Sequence, residues 1–411
     1  MAPALLRQPQ FRRYWLAQTV SLFGDQVLTL ALPLVAVLGT RAGPAEMGYL
    51  TAATMLPNLL FPLVVGAWLD RYPRKRRIMV LADLGRAVLL AVVPVAYLCD
   101  VLALEQLYVV AFLTGTLAVL FEVAHSTLFV SLVARRHYVD ANSLIGSSRA
   151  LSFVAGPSLG GLLVQVLTAP IALLVDVLSY LLSALFLARI RPTEPAPADP
   201  GGGSRGLRAG LGFVVRSRIL RATLLGTTTL NLFNYMFHAL FVLYASTELN
   251  LSPSLLGLAI GAGALGALLG ATVTGRLARR LGVGRAVVLG FVLFPAPLLL
   301  VPLAGGPTWA VLAALVAAEF LAGLGVMLLD ITSGAVQTAV IPEPLLARVT
   351  GVKRTINYGI RPVGALLGGT LGSALGVRPT LWIATVGALA GVLWLLPSPI
   401  PHLRDLPERE R

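Results

Sequence analysis

Long runs of apolar residues recur from the N-terminus to Pro397, separated by short polar connections. A helix needs about 20 mostly apolar residues to cross the hydrocarbon core of a bilayer. The first run starts after Phe11-Arg12-Arg13, extends to about Leu38 and lacks the cleavage site of a secretory signal peptide, so we expect a retained helix. The pattern predicts an all-α membrane protein with about twelve transmembrane helices, here called spans 1 to 12.

One long polar segment interrupts these runs. It reads Pro-Thr-Glu-Pro-Ala-Pro-Ala-Asp-Pro and continues with Gly201-Gly202-Gly203-Ser204, a composition typical of a linker. We therefore expect four segments: residues 1–190 as an N-terminal six-helix bundle, 191–218 as a cytoplasmic linker, 219–397 as a C-terminal six-helix bundle and 398–411 as a cytoplasmic tail.

The two predicted bundles resemble each other in sequence. One constant offset pairs Gly146, Arg149 and Pro157 with Gly351, Arg354 and Pro362. A second sequence repeat pairs the segment that begins at Gly66 with the segment that begins at Gly275. A duplication explains both repeats, so we expect two pseudo-symmetric halves.

Charge refines this picture. The chain is 57% apolar and 12% charged, with mean hydropathy +0.84 and formal net charge +14. Basic residues fill every second connection, which places both termini in the cytoplasm by the positive-inside rule. This distribution predicts contact with anionic lipids rather than nucleic acid. The basic connections lie near Arg12, Arg74, Arg135, Arg189–Arg221, Arg279, Arg348 and Arg404.

Several kinds of chemistry lack a sequence signal. Cys99 is the only cysteine, so a disulfide within the chain or a cysteine metal cluster is not expected. No phosphate-binding Gly-Lys-Ser/Thr loop and no His-Glu-x-x-His pair occurs. We expect no catalytic residues, metal or cofactor, and energy from an ion gradient.

Two motifs carry a family resemblance over nearly the whole chain. Gly66 to Arg77 resembles the loop between helices 2 and 3 of the major facilitator superfamily, and Gly156-Pro157-Ser158-Leu159-Gly160-Gly161 resembles its helix 5 motif of exporters. The sequence departs from the family pattern at two positions. Pro73 stands where the loop usually has glycine, and Arg279 stands where the repeat in the second half could have an aspartate equivalent to Asp70. Further segments are similar to a bacterial branch of macrolide and enterobactin-type siderophore exporters: Phe11–Gln18, Gly24–Gln26, Ala82–Ala87, Phe121–Ala124 and Ala172–Asp176.

The resemblance implies two six-helix bundles around a central cavity, alternating access and proton coupling. It also implies a multi-pass protein of the bacterial cytoplasmic membrane, and we expect it to act as a monomer. The helix 5 motif, Gly156, Pro157, Gly160 and Gly161, implies export, although small residues in a membrane helix also simply allow close packing.

The basic loop after span 2 suggests a conformational latch. Asp70 could pair with Arg71 or Arg74, or face the positive N-terminal end of another helix. Together with Asp83 and Arg86 of span 3, these residues are expected to hold the cytoplasmic side closed. The alternative is that the loop only orients the chain, but a topogenic loop needs no carboxylate.

Ionisable residues near the middle of the spans are the candidates for proton coupling. Asp25 in span 1 and Glu122 in span 4 are expected near the membrane centre, where a charge needs a cavity or a partner. His125 shares a helix face with Glu122 and is a substrate-cavity candidate. The structural alternatives are a hydrogen-bond site at a break beside Gly24 and an ion pair between Glu122 and Arg149.

The second half offers a polar stripe on span 7. Its spacing of i, i+3, i+4 and i+7 places the residues on one helix face, which could line the cavity or join helices. Glu319 in span 10 is a further cavity candidate, and the buried cation Arg361 in span 11 should pair with Asp330 or Glu319. The stripe consists of Asn231, Asn234, Tyr235 and His238.

These features together predict a secondary active transporter. We expect a proton-coupled antiporter that exports small lipophilic molecules of the drug, macrolide or siderophore class. The alternatives are an uptake or facilitative carrier of the same fold and a polytopic membrane enzyme acting on lipid, which would need a clustered catalytic site.

Overall fold

The structure, a computed structural model, describes residues 5–70, 72, 74–191 and 205–406. Throughout these ranges the chain forms helices and no strand, so the predicted all-α class is confirmed. The chain folds into two compact units. Unit 1 comprises Met1–Ala42, Ala53–Gly201 and Ser252–Gly257, and unit 2 comprises Gly43–Ala52, Gly202–Leu251 and Leu258–Arg411.

The first half of the chain forms seven helices within the described ranges. Helix α1 continues into a π-helical turn at Val35–Gly39, and the short break between α2 and α3 falls at Phe61, directly before Pro62. The bounds are α1 Pro9–Leu34, α2 Pro44–Leu60, α3 Pro62–Asp70, α4 Lys75–Leu98, α5 Leu104–Leu132, α6 Tyr138–Leu167 and α7 Ala169–Ala188.

The second half begins with an amphipathic helix that forms part of the predicted linker. Of that linker, residues 192–204 lie outside the described residues, and Arg205–Arg216 forms α8. The remaining helices are α9 Arg218–Thr247, α10 Pro253–Leu281, α11 Val283–Leu293, α12 Leu300–Leu303, α13 Thr308–Val340, α14 Glu343–Leu375 and α15 Val377–Leu389.

Nine helical segments in the described part of the chain are long and apolar enough to cross a membrane. They are α1 with its π turn, α4, α5, Arg135–Leu167, α7, α10, Val283–Leu303, α13 and Val377–Trp394. Helix α2 has only 17 residues, and α14 carries several charges, among them Arg348, Lys353 and Arg361. The number of about twelve spans stays a prediction.

Local chemistry explains several helix ends. Pro295 and Pro297 supply no backbone N–H, and the chain leaves the α-helical pattern there for the 3₁₀ turn Ala296–Leu299. Helix α14 ends at Leu375 and is followed by Gly376, whose φ of 92° is readily available only to glycine. The next helix, α15, therefore starts directly after α14.

Each unit has its own apolar core. In unit 1, α7 packs against both α1 and α4, while α1 also packs against α6. Tyr14, Met79 and Leu128 lie in the core of this unit. In unit 2, α9 packs against α14 and α15, and Leu220 and Phe291 lie in the core. The polar groups described below interrupt these apolar interiors.

Candidate functional site

The carboxyl group of Asp25 lies where α1 meets α4 and α7 in unit 1. Tyr180 of α7 donates a hydrogen bond of 2.7 Å from its hydroxyl to Asp25 Oδ1. The Nη1 atom of Arg86, on α4, lies 3.7 Å from the same oxygen. The Asp25 side chain is 41% exposed, whereas that of Arg86 is 3% exposed. Asp25 is thus the accessible end of a buried polar network.

Arg86 is the cation of this network. Its Nη2 donates to Asp83 Oδ1 one turn earlier on α4, and Asp83 Oδ2 accepts a 2.6 Å hydrogen bond from Ser183 of α7. The guanidinium carbon also lies 4.7 Å from the ring centroid of Phe121 and 4.3 Å from that of Tyr180. These contacts compensate a charge that would be costly to bury alone.

A third carboxyl group lies beside this network on α7. Asp176 is fully buried, and its Oδ1 accepts a 2.9 Å hydrogen bond from Ser179. Its Oδ2 atom is buried and has no hydrogen-bond partner. The sequence reasoning did not select Asp176 as a site residue, although an aspartate inside a span was a usable signal.

The predicted candidates on α5 form a separate group with α1. The hydroxyl of Tyr14 lies 2.7 Å from Nδ1 of His125, and the two rings are stacked with centroids 5.4 Å apart. Glu122 and Arg149 are both exposed, and no ion pair within 4 Å joins them. The alternative of a Glu122–Arg149 ion pair is therefore not realised, and Glu122 remains a candidate for proton exchange.

The latch residues divide into two groups. The Asp70 side chain and Arg71 lie outside the described residues, and Arg74 is exposed. Asp83 and Arg86 instead form a buried ion pair inside unit 1. A latch role for these five residues stays a prediction.

The glycine motif on α6 lies at close helix contacts within unit 1. A Cβ atom at Gly156 would overlap Gln26 of α1, and one at Gly160 would lie 3.2 Å from the Cα of Val27. A Cβ atom at Gly161 would overlap the carbonyl oxygen of Pro253. The motif including Pro157 therefore has a packing role here, and its link to export rests on the resemblance.

In unit 2, Arg361 of α14 is held by polar and aromatic groups. Its Nε donates a 3.2 Å hydrogen bond to Asn231 Oδ1 on α9. The guanidinium carbon lies 4.0 Å from the ring centroid of Tyr358 and 5.0 Å from that of Tyr235. The structure thus brings Asn231 and Tyr235, two of the four predicted stripe residues, to one cation.

The expected carboxylate partners of Arg361 do not pair with it. No ion pair within 4 Å links Arg361 to Glu319 or Asp330, so that prediction is wrong in this conformation. The reason is geometric, because α9 supplies an amide and a tyrosine ring at the guanidinium. Asp330 is exposed, while Glu319 packs beside Gly263 and its Oε1 atom is buried without a partner.

The other two stripe residues differ in exposure. Asn234 is 9% exposed and faces the interior of unit 2, whereas His238 is exposed. The His238 ring lies near the rings of Tyr235 and Phe237, with centroids 6.1 Å and 5.8 Å away. Within the described ranges, no group of three or more His, Cys, Asp or Glu residues is arranged to hold a metal ion.

Comparison with known sequences gives matches along nearly the whole chain. The family model described as transmembrane secretion effector matches residues 1–409. The multidrug efflux pump Tap of Mycolicibacterium fortuitum is 28% identical over 398 residues, covering 93% of this chain and 93% of that protein. The MFS-type transporter YfiS of Bacillus subtilis is 27% identical over 374 residues, covering 88% of this chain and 83% of YfiS.

Solved structures share the fold. A bacterial homologue of the iron transporter ferroportin, in an inward-facing state, matches with a TM-score of 0.77 and 17% identity, covering 96% of this chain and 98% of that one. The nucleoside transporter NupG matches with a TM-score of 0.76 and 11% identity, covering 94% and 98%. At these identities the likeness concerns the fold alone.

Proposed function

The chain belongs to the major facilitator superfamily of membrane transporters, and from this premise we propose that it is a proton-coupled antiporter that exports small lipophilic molecules by alternating access. Membership makes it a multi-pass membrane transporter of small molecules and not an enzyme, which removes the lipid-enzyme alternative. The antiport, the direction of transport and the substrate class are the proposed part.

The observation that carries the proposal is the accessible carboxyl group of Asp25 at the end of a buried ionic network. An ionisable group inside a membrane span is costly unless it has a partner or a function. Asp25 has both a hydroxyl donor in Tyr180 and a cation in Arg86. Its side chain is 41% exposed, and we take this exposed edge as the point that water or substrate reaches.

A change in charge on Asp25 has a direct mechanical consequence in this geometry. When Asp25 is ionised, it attracts Arg86 of α4 and accepts the hydroxyl hydrogen bond from α7. A proton on Asp25 removes the ionic attraction, which weakens the link between α1 and its two neighbours. Proton binding can in this way bias one conformation over another.

Unit 2 supplies the proposed substrate contacts. Asn231, Tyr235 and Arg361 combine an amide, an aromatic ring and a cation on α9 and α14. Exposed His238 extends this surface, and Asn234 and Glu319 are further candidates. Mixed aromatic and polar surfaces suit lipophilic molecules of the drug, macrolide or siderophore class.

The similarity to the multidrug efflux pump Tap favours export over uptake. We further propose a monomer in the bacterial cytoplasmic membrane, with both termini in the cytoplasm, that exchanges protons and contacts anionic lipids through its basic connections. No cofactor is required, because the proton gradient supplies the energy. An uptake or facilitative carrier is the alternative that the experiment must exclude.

The test is transport into proteoliposomes that hold the protein with its cytoplasmic face outward. An acidic interior should drive accumulation of a substrate from a panel of lipophilic drugs, macrolides and siderophores. Asp25→Asn and Glu122→Gln should reduce accumulation to the background level with unchanged reconstitution. Asp100→Asn is the matched control, because Asp100 lies in the connection after α4 and away from the network.

Three results would contradict the proposal in different ways. Substrate flux that does not depend on the pH gradient would indicate a facilitative carrier. Accumulation driven by the opposite gradient would indicate symport and uptake. Normal coupling in both carboxylate variants would move the proton site away from Asp25 and Glu122.

A further inference from the structure

Asp176 occupies an unusual position in the interior of unit 1. It lies on α7 one turn before Tyr180, so the two side chains share a helix face. The residue has no exposed surface, and a carboxylate has acceptor sites on both oxygens. Ser179 satisfies Oδ1, whereas Oδ2 has no partner.

Helices α1, α4 and α6 pack on α7, and the charged groups near Asp176 come from α1 and α4. Helix α1 contributes Asp25, and α4 contributes Asp83 and Arg86. Glu122 of α5 and Arg149 of α6 are exposed, and Arg149 forms no ion pair within 4 Å with Asp25. Among the described residues, no cation lies within 4 Å of the Asp176 carboxyl group, because Arg86 is engaged by Asp83 and Asp25.

Of the three carboxyl groups, only Asp25 and Asp83 contact the guanidinium of Arg86. An isolated ionised carboxylate is so costly to bury that the group takes up a proton instead. Asp176 is the member of the trio with no cation and no access to solvent. An unsatisfied oxygen is also far less costly on a neutral acid than on an anion.

We propose that Asp176 is a second proton-binding residue, which holds a proton in this conformation and exchanges it with Asp25. The inference rests on the proposed antiport and deepens it by naming the internal proton donor. In the exchange, the O–H bond on Asp176 breaks and an O–H bond forms on Asp25. Asp176 then carries the negative charge that Asp25 carried before.

The packing of α1 on α7 supports a short path for this exchange. A Cβ atom at Gly24 would overlap Asp176 Oδ1 and Ser179 Oγ, so α7 lies directly against the turn of α1 that carries Asp25. Tyr180, one turn after Asp176, already donates its hydroxyl to Asp25. The structure therefore places the donor, a hydroxyl and the acceptor at one helix contact.

Infrared spectroscopy of the purified full-length protein tests whether Asp176 is protonated. At neutral pH, Asp176→Asn should remove one carbonyl band of a protonated carboxylic acid. Ser179→Ala should keep that band and move it to higher frequency, because the hydrogen bond to Oδ1 is lost. A band unchanged by Asp176→Asn would overturn the inference.

Transport assays test whether the proton is exchanged. In the proteoliposome assay, Asp176→Asn should abolish accumulation driven by the pH gradient, whereas the control Asp100→Asn, in the connection after α4, should retain it. If the Asp176→Asn protein still coupled accumulation fully to the pH gradient, Asp176 would have only a structural role and the proposed proton exchange would be wrong. Wild-type flux that ignores the gradient would instead defeat the proposed antiport, and the infrared band would still decide the protonation of Asp176.

Discussion

Arg86 illustrates how much of the network depends on a single side chain. It is almost fully buried and contacts two carboxylates and two aromatic rings. The methionine side chain resembles the unbranched apolar stem of arginine but carries no guanidinium group and no charge. Replacement by methionine would therefore leave Asp83 as a buried carboxylate without its cation.

We expect Arg86→Met to lower the free energy of unfolding by about 3–5 kcal/mol, the usual cost of removing one partner of a buried ion pair. The double variant Asp83→Asn/Arg86→Met should recover a large part of this loss, because it removes both charges. Thermal unfolding in detergent measures both effects. An Arg86→Met protein as stable as the wild type would show that the pair does not stabilise unit 1.

At the residue scale, the sequence identified which residues are chemically important more reliably than it identified the residues that they contact. It selected Asp25 because a carboxylate near the middle of a span needs a reason to be there. It assigned Arg361 to Glu319 or Asp330, whereas the structure pairs Arg361 with Asn231. Partners depend on the register between helices that are distant in sequence, here α9 and α14, and a helical period does not encode that register.

At the scale of elements, glycines fix how closely helices approach. Helix α10 carries Gly263, Gly266 and Gly270, which face Glu319, Phe320 and Leu324 of α13. A Cβ atom at Gly266 would overlap the carbonyl oxygen of Phe320. These three glycines therefore let α10 lie directly against α13.

Gly266→Ala should therefore destabilise the protein by about 1–3 kcal/mol, since overpacking forces backbone shifts. Gly334→Ala on α13 is the matched control, because nothing lies within 4 Å of the added atom. The control should be neutral or stabilising by up to about 1 kcal/mol through higher helix propensity. Equal melting temperatures for the two variants would contradict the proposed close contact.

The hydrophobic pattern predicted where the long helices lie, but it did not predict their local irregularities or the short helix α8. The apolar runs located the long helices, because length and hydropathy are local properties of the sequence. The π turn at Val35–Gly39 had no clear signal. The amphipathic helix α8, inside a segment predicted as a linker, is explained by its apolar face, which adds Val214 to the core of unit 2.

At the scale of the whole molecule, the orientation in the membrane can be tested with the single cysteine. Cys99 is exposed and follows α4, in a connection predicted to lie outside the cytoplasm. A membrane-impermeant maleimide should label it in intact cells. A Cys99→Ser/Arg135→Cys variant should be labelled only after permeabilisation, because Arg135 lies in a basic connection predicted to face the cytoplasm. The reverse pattern would invert the proposed topology.

The sequence by itself determined that this is an all-α, multi-pass membrane transporter and that Asp25 is a candidate coupling residue. These properties depend on composition, on the length of apolar runs and on motifs, all of which are readable along one chain. Only the tertiary structure joined Arg86 and Asp83 to Asp25 and placed Asp176 against the turn of α1 that carries Asp25. The physical reason is that burial and charge compensation are set jointly by α1, α4 and α7, whose packing no local pattern specifies.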